Sequence, residues 1–258
     1  MALSFKEAKE TEAKPAAISK EVAVIERPAA PVEQQTGLKA LSFQNNTGGS
    51  GDMEGEYNIG HLKLPYVSIV QKTSDNSQIK AFGLGSVVFN KEVKLCTEDG
   101  SFEFTPLRAS MVYVQNVEFG KTPIRYKSSA EVLANGGNLR YDGDNPKDPS
   151  RFDENLYLQI AVRAPDDLDE ELSELFPYEN GEYKWALAML GLKGGGLSGL
   201  GRLIIGHRAL LLKDGLHFGR YEGKVGARSN AKGEWWVPEG KFIKKHDAET
   251  ADFLKALV

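Results

Sequence analysis

Cysteine is almost missing from this chain: Cys96 is the only one in 258 residues. A single thiol makes no internal disulfide and no thiolate zinc site, so nothing argues for an oxidising compartment. Histidine is scarce too. His61, His207, His217 and His246 show no HxxxH or HExxH spacing, and no metal or other cofactor is expected. No stretch approaches the roughly 18 apolar residues of a membrane span. The opening MALSFKEAKE places charges where a secretory segment needs apolar residues. The expectation is a cytoplasmic protein without membrane contact. The phosphate-cradling GxxxxGK[ST] and the GxSxG of serine hydrolases are both lacking. A global positive charge is lacking as well: the formal net charge is −4. Any nucleic-acid site would therefore be a local patch set against acidic segments elsewhere.

What the chain does have is one stretch, 217–245, HFGRYEGKVGARSNAKGEWWVPEGKFIKK. Phe218, Tyr221, Trp235, Trp236 and Phe242 supply flat rings. Arg220, Lys224, Arg228, Lys232, Lys241, Lys244 and Lys245 supply positive charge. Ser229-Asn230-Ala231-Lys232-Gly233 reads as a turn, because Asn and Gly tolerate the left-handed backbone of tight hairpin loops. A basic β-hairpin with aromatic arms results. Such a surface suits a single-stranded nucleic acid, whose bases stack on rings while its phosphates meet cations. The same letters also fit a half-buried sheet with a solvated lysine face. Adjacent tryptophans on a strand point to opposite faces, so one of Trp235 and Trp236 is expected to stack and the other to be core.

Residues 1–56 read as a separate arm and linker. Ala, Glu, Lys, Pro and Gln dominate its first part, and QNNTGGSGDMEGE closes it. Few side chains there could compensate the entropy of ordering. Leu38, Leu41 and Phe43 form a small apolar cluster within it. The folded domain is expected over 57–258. Strands are expected in 61–72, 85–90, 92–96, 101–119 and 122–127, with a hairpin turn at Asp99-Gly100 and a bend or edge position at Pro106. A loop is expected over 135–153, including Asp142-Gly143-Asp144, and strands resume at 156–163. The clearest helix is 166–176, DDLDEELSELF, with Leu168, Leu172, Leu175 and Phe176 on one face and Pro177 at its end. A strand or short buried helix comes next at 183–190, then a glycine-rich loop, then a strand pair or kinked strand over 202–212. A last helix starts at an Asp247 N-cap with Ala251, Leu254 and Leu257 as its stripe. About ten short strands with two helices make the chain mainly β with minor α. That pattern favours a Greek-key barrel or sandwich with insertions.

Three constellations bear on chemistry. Gly194-Gly195-Gly196-Leu197-Ser198-Gly199 matches the letters GxGxxG, and Asp214 lies downstream. A crossover unit would need both a helix and a strand between them, with Gly201 and Gly206 inside the helix at about 1 kcal/mol each. A flexible loop is the better reading, with Lys193 and Arg202 at its edges within reach of phosphates. Glu118, Asp214 and Glu222 are candidate acids for a metal-dependent nuclease. Cys96 lies in an apolar run and reads as a small core residue. The cations do cluster: Arg202, Arg208 and Lys213 lead into the basic stretch. A smaller set lies at Lys121, Arg125, Tyr126 and Lys127, and another at Lys91 and Lys94.

The segment LPYVSIVQKTS at 64–74, followed by GSVVFN, resembles the opening of phage- and prophage-encoded proteins. The closing pattern is similar to the same group: a Tyr/Arg strand, Asn-Ala-Lys-Gly-Glu-Trp-Trp-Val-Pro, a Phe strand and a helix. These are phage single-stranded DNA-binding or replication accessory proteins built on an OB-type barrel. The resemblance spans roughly 64–257. It implies an OB-like barrel with insertions and a non-enzymatic role in phage DNA replication or recombination, in the host cytoplasm. It implies stacking roles for Tyr221, Trp235, Trp236 and Phe218, and phosphate roles for Arg220, Arg228, Lys232 and Lys241. Lys224, Arg125, Tyr126 and Lys127 join them as candidate nucleic-acid contacts on charge and aromaticity alone. The chain departs from the group in its acidic helix, its triple-glycine loop and its final FLKALV, which offers no acidic-aromatic tail for recruiting partners. Single-stranded DNA is the expected partner, with replication or recombination proteins beside it. The competing expectation is a virion structural or host-interaction protein whose N-terminal arm binds a partner.

Overall fold

The computed structural model describes residues 64–118, 120–140, 148–181, 183–231 and 233–258. The arm at 1–56 with its Leu38, Leu41 and Phe43 cluster, the Asp142-Gly143-Asp144 segment and Lys232 lie outside the described residues. The chain divides into two units, Met1–Leu62 and Lys63–Val258, and all the described residues belong to the second.

This second unit is mainly β: one strongly curled, half-barrel sheet with a few helices. Its strands are β1 (Tyr66–Ile69), β2 (Val87–Phe89), β3 (Val93–Cys96), β4 (Phe102–Gln115) and β5 (Arg125–Tyr126). They continue with β6 (Phe152–Arg163), β7 (Tyr178–Asn180), β8 (Tyr183–Lys193), β9 (Gly219–Asn230) and β10 (Gly233–Lys245). The order across the sheet is β10-β9-β4-β6-β8-β1-β2-β3, with β5 beside β4 and β7 beside β8. Neighbours are antiparallel except β1 and β8, which run parallel. The Asp99-Gly100 turn therefore joins strands that are not partners: β3 pairs β2, while β4 pairs β6 and β9. A local turn signal carries no information about which strand the chain meets next.

Alternation builds the two faces. Leu156, Leu158, Ile160 and Val162 of β6 and Ala186, Ala188, Leu190 and Leu192 of β8 point to the concave side and are buried. Their alternates point to the convex side. Pro106 sits where β4 loses its β9 partner. β9 pairs only with Phe102–Phe104, and a register shift comes after Pro106. A residue without an N–H fits at such a place.

The concave side is filled by a helical run where the sequence suggests a loop and a kinked strand. Gly194–Gly196 (α4) leads through a π-helical turn, Leu197–Gly201, into Arg202–Leu210 (α5). Loop and strand are thus one helical segment. Leu197, Leu200 and Ile204 from it, with Leu212 and Leu216 beyond, enter the core. Its glycines answer to packing, which propensity ignores. A Cβ on Gly196 would stand 2.8 Å from Pro238 Cγ, so β10 crosses this run at near-backbone distance. β9 is not beside β8, so the segment is not the parallel crossover that the GxGxxG letters require.

Other helices also differ from expectation. The 166–176 segment keeps only one α-helical turn, Glu170–Ser173 (α3). Its apolar residues still serve: Phe176 is buried, and Leu168, Leu172 and Leu175 pack on the core. Docking these side chains satisfies them without the full helix, and so short a helix has little stability of its own. Asn76–Phe82 (α1) and Ser129–Ala134 (α2) form helices that the sequence pattern does not announce. The last helix, Ala248–Ala256 (α6), is as expected: the Thr250 N–H donates to Asp247 Oδ1 at 2.8 Å. It covers part of the convex face, where Leu254 packs with Leu107, Ala161 and Trp185. Among the described residues no helix is long and apolar enough to cross a membrane.

Candidate nucleic-acid interface

The basic hairpin exists. β9 and β10 pair from Asn230–Gly233 back to Gly219–Lys245, with one irregularity between Phe242 and Lys244. Near its root it belongs to the sheet, and its outer half swings across to the far edge. There the Gln71 side chain grips the Trp236 backbone from both sides. Its Nε2 donates to the Trp236 carbonyl at 2.7 Å, and the Trp236 N–H donates to its Oε1 at 3.1 Å. The Trp236 indole N–H donates to Glu98 Oε1 at 2.7 Å. Gln71 lies just past β1 and Glu98 just past β3, so β10 is tied to the opposite end of the strand order. These bonds do what a missing strand pairing would do, and draw the half-barrel together.

The two tryptophans divide as strand geometry requires. Trp236 is 5% exposed and part of the core, while Trp235 is 38% exposed. Two of the four expected stacking residues are corrected accordingly. Trp236 is structural. Tyr221 is fully buried, stacked on Phe104 at 5.6 Å and met edge-on by Phe242. Its hydroxyl lies 3.1 Å from His207 Nδ1, and burial pushes its pKa well up. Neither ring is available to a base. Phe218 is half-buried against the His217 ring.

The cations divide as well. Arg220 is paired with Glu103, Arg228 with Glu239, and Lys241 with Glu222 at 3.1 Å. Lys241 and Glu222 are directly opposed, and the other two pairs share a face by alternation along their strands. Acids thus pair three of the hairpin's six described cations, which a count of lysines and arginines conceals, while Lys244 and Lys245 at its root are exposed and join no ion pair among the described residues. Lys224 is exposed and joins no ion pair among the described residues. Arg125 is exposed on β5. Tyr126 lies against Phe152 at 5.2 Å, and Lys127 is exposed with its backbone N–H donating to Glu131 Oε2. These three sit on β5 or just past it, on the same side of β4 as β9 but further along, at Tyr113 and Val114 rather than Phe102–Phe104.

What the hairpin does form is one wall of an open cleft of about 860 Å³. Trp235 and Pro238 line that wall. Lys193, Gly194, Ser198 and Arg202 of the helical run line it as well, with Gln71 and Glu154. Lys193 and Arg202 are exposed and form no ion pair among the described residues. Arg151 on the floor is balanced by Asp153. The sequence places Lys193 and Arg202 at the edge of a phosphate-reaching segment, but only the fold brings them into one cleft with Trp235. Gln71 is invisible in the sequence; a single polar residue after a strand carries no signal of a partner 165 positions away.

The alternative nuclease acids do not converge. Glu222 is bound to Lys241 and Glu118 to Lys121, and among the described residues no three His, Cys, Asp or Glu side chains could hold a metal ion. Cys96 is buried in the core, and desolvation raises its thiol to about 11.

No family model, no curated protein and no solved structure matches this chain.

Proposed function

We propose that this chain is a non-enzymatic, sequence-tolerant single-stranded DNA-binding protein. One observation carries the reading: the exposed Trp235 lines one open cleft together with Lys193 and Arg202, two cations that join no ion pair among the described residues, with Glu154 as the one unpaired acid there. A ring and cations in one groove are what a strand of bases and phosphates requires, and they do not depend on the base. Within this proposal the curled sheet is an OB-type barrel, closed on one side by Gln71 in place of a continuous strand ladder. The setting in phage replication or recombination rests on the resemblance of the opening and closing motifs.

Fluorescence anisotropy with a labelled oligothymidylate at two salt concentrations tests the reading. Binding is expected at low salt and is expected to fall steeply as salt rises, because phosphate contacts release counterions. Trp235→Ala is expected to cost roughly 1–3 kcal/mol of affinity with the fold intact. Trp236→Ala is expected to cost about 3–5 kcal/mol of stability instead. No binding by the intact protein at low salt, or unchanged affinity in Trp235→Ala, refutes the proposal. Loss of the oligonucleotide on adding magnesium or manganese would mark a nuclease.

A second reading, a protein-interaction or virion component, is favoured by the outer side of α5. Ile205 and Leu211 are exposed there, and Leu210 is 81% exposed.

A further inference from the structure

The convex face of the sheet is only partly covered. α6 shields the end carrying Leu107, Ala161 and Trp185, and beyond it Tyr66, Arg108, Ser110 and Lys193 reach solvent. Pairing register fixes what stands on that part. Tyr66 lies beside Met189, Met189 beside Gln159, and Gln159 beside Arg108. In the next row Gly191 lies beside Tyr157, and Tyr157 beside Ser110. Beyond it Lys193 lies beside Asn155, and Asn155 beside Val112. Directly paired residues share a face, as do residues two apart on one strand. Tyr66, Tyr157, Arg108 and Lys193 therefore share one side of the sheet.

Exposure varies along this side: Gln159 is buried, at 8% exposed, Tyr157 and Met189 are half-buried, and Arg108 and Lys193 are exposed. Tyr66 is 50% exposed. The Tyr157 ring leans over Gly191, where no side chain intervenes: a Cβ there would come only to 3.6 Å of the ring. Arg108 is exposed and free of acid partners among the described residues. A shallow depression of about 380 Å³ runs over Tyr157, Gly191, Asn155 and Lys193. Its acid, Asp153, is matched by Arg151. Strand and residue spacings put the two tyrosines roughly 12 Å apart.

Lys193 joins this surface to the cleft. It ends β8 and borders both the cleft and the depression. We infer that single-stranded DNA leaving the cleft turns past Lys193 and continues onto the convex face, with bases on Tyr157 and Tyr66 and phosphates on Lys193 and Arg108. One feature selects this occupant over a protein: the free charges of the strip, on Lys193 and Arg108, are positive, and they flank two rings that can stack on bases. The inference rests on the single-stranded DNA-binding reading of the cleft.

The test compares oligothymidylates of about six and about twenty nucleotides, near the lower end of and above the range of one barrel-sized site, on the full chain. The wild-type protein is expected to bind the long strand at least tenfold more tightly per molecule than the short one. The double variant Tyr66→Ala/Tyr157→Ala is expected to lose roughly tenfold on the long strand and nothing on the short one, with circular dichroism unchanged. Tyr66→Phe/Tyr157→Phe keeps the stacking faces and is expected to bind like wild type. Trp235→Ala is expected to weaken both strands. Full long-strand affinity in the double alanine variant, with Trp235→Ala still weak, overturns the convex path and leaves the cleft standing. An equal loss on both lengths in the double alanine variant also overturns the convex path, since the rings would then serve the cleft or the fold. Failure of the wild-type protein to bind even the short strand overturns the cleft reading itself.

Discussion

Gln71 offers the sharpest handle on how this half-barrel holds together. Its amide makes two hydrogen bonds to the Trp236 backbone, at 2.7 and 3.1 Å, between segments 165 residues apart. Gln71→Met keeps the volume and removes both. Each such bond contributes about 0.5–1.5 kcal/mol net, so the loss is expected at roughly 1–3 kcal/mol. The lower end applies if water reaches the freed Trp236 groups. The nearby Lys72–Glu234 pair, about half exposed on both sides, adds little, since exposed pairs contribute about 0–1 kcal/mol. Gln71→Glu separates the two halves of the grip. Its carboxylate still accepts from the Trp236 N–H but turns a second oxygen toward the Trp236 carbonyl. It is expected to be at least as destabilising at neutral pH, and its deficit relative to wild type should narrow below about pH 4, as the carboxyl gains a proton to donate. Urea denaturation read by tryptophan fluorescence gives the shift in midpoint at constant slope. Hydrogen exchange at the Trp236 amide reports the local grip. A Gln71→Met protein with an unshifted midpoint and a fully protected Trp236 amide would refute the claim that this side chain closes the sheet.

The His246 ring is half-buried, with Nε2 2.7 Å from Thr105 Oγ1, and burial, helped by Arg220, lowers its pKa from 6.5 to about 4. The unfolded chain then binds the extra proton first, so its contribution to stability is full above pH 6.5 and is lost as pH falls toward 4. Tm measured across that window should drop less in His246→Gln than in wild type. His217, lowered mainly by burial, acts in the same direction. Two glycine substitutions should move Tm oppositely. A Cβ on Gly240 meets the Glu222 carbonyl oxygen at 2.6 Å, which backbone cannot easily yield, so Gly240→Ala is expected to cost about 1–3 kcal/mol. Gly206 lies inside α5 with nothing near its Cβ position, so Gly206→Ala is expected to add about 0.5–1 kcal/mol.

Much of this protein is settled by its sequence alone. Two-residue alternation marks β4, β6 and β8. The Asn-Ala-Lys-Gly turn marks the hairpin. The Asp247 cap and its stripe mark α6, and strand geometry divides Trp235 from Trp236. Each of these depends on residues within a turn or two of one another, where local chemistry acts. The fold decides the rest. The glycine-rich run is helical because a curled sheet and β10 leave room for little more than backbone, and tertiary burial outweighs poor propensity. The 166–176 helix shrinks because its leucines find the core without it. Most decisive for function, three of the basic hairpin's cations are taken by Glu103, Glu222 and Glu239, and one of its two tryptophans goes to the core. Lys193 and Arg202 come into one cleft with a ring only when the sheet curls. Pairing across a hundred residues is set by packing and loop closure, and no local pattern of letters encodes it.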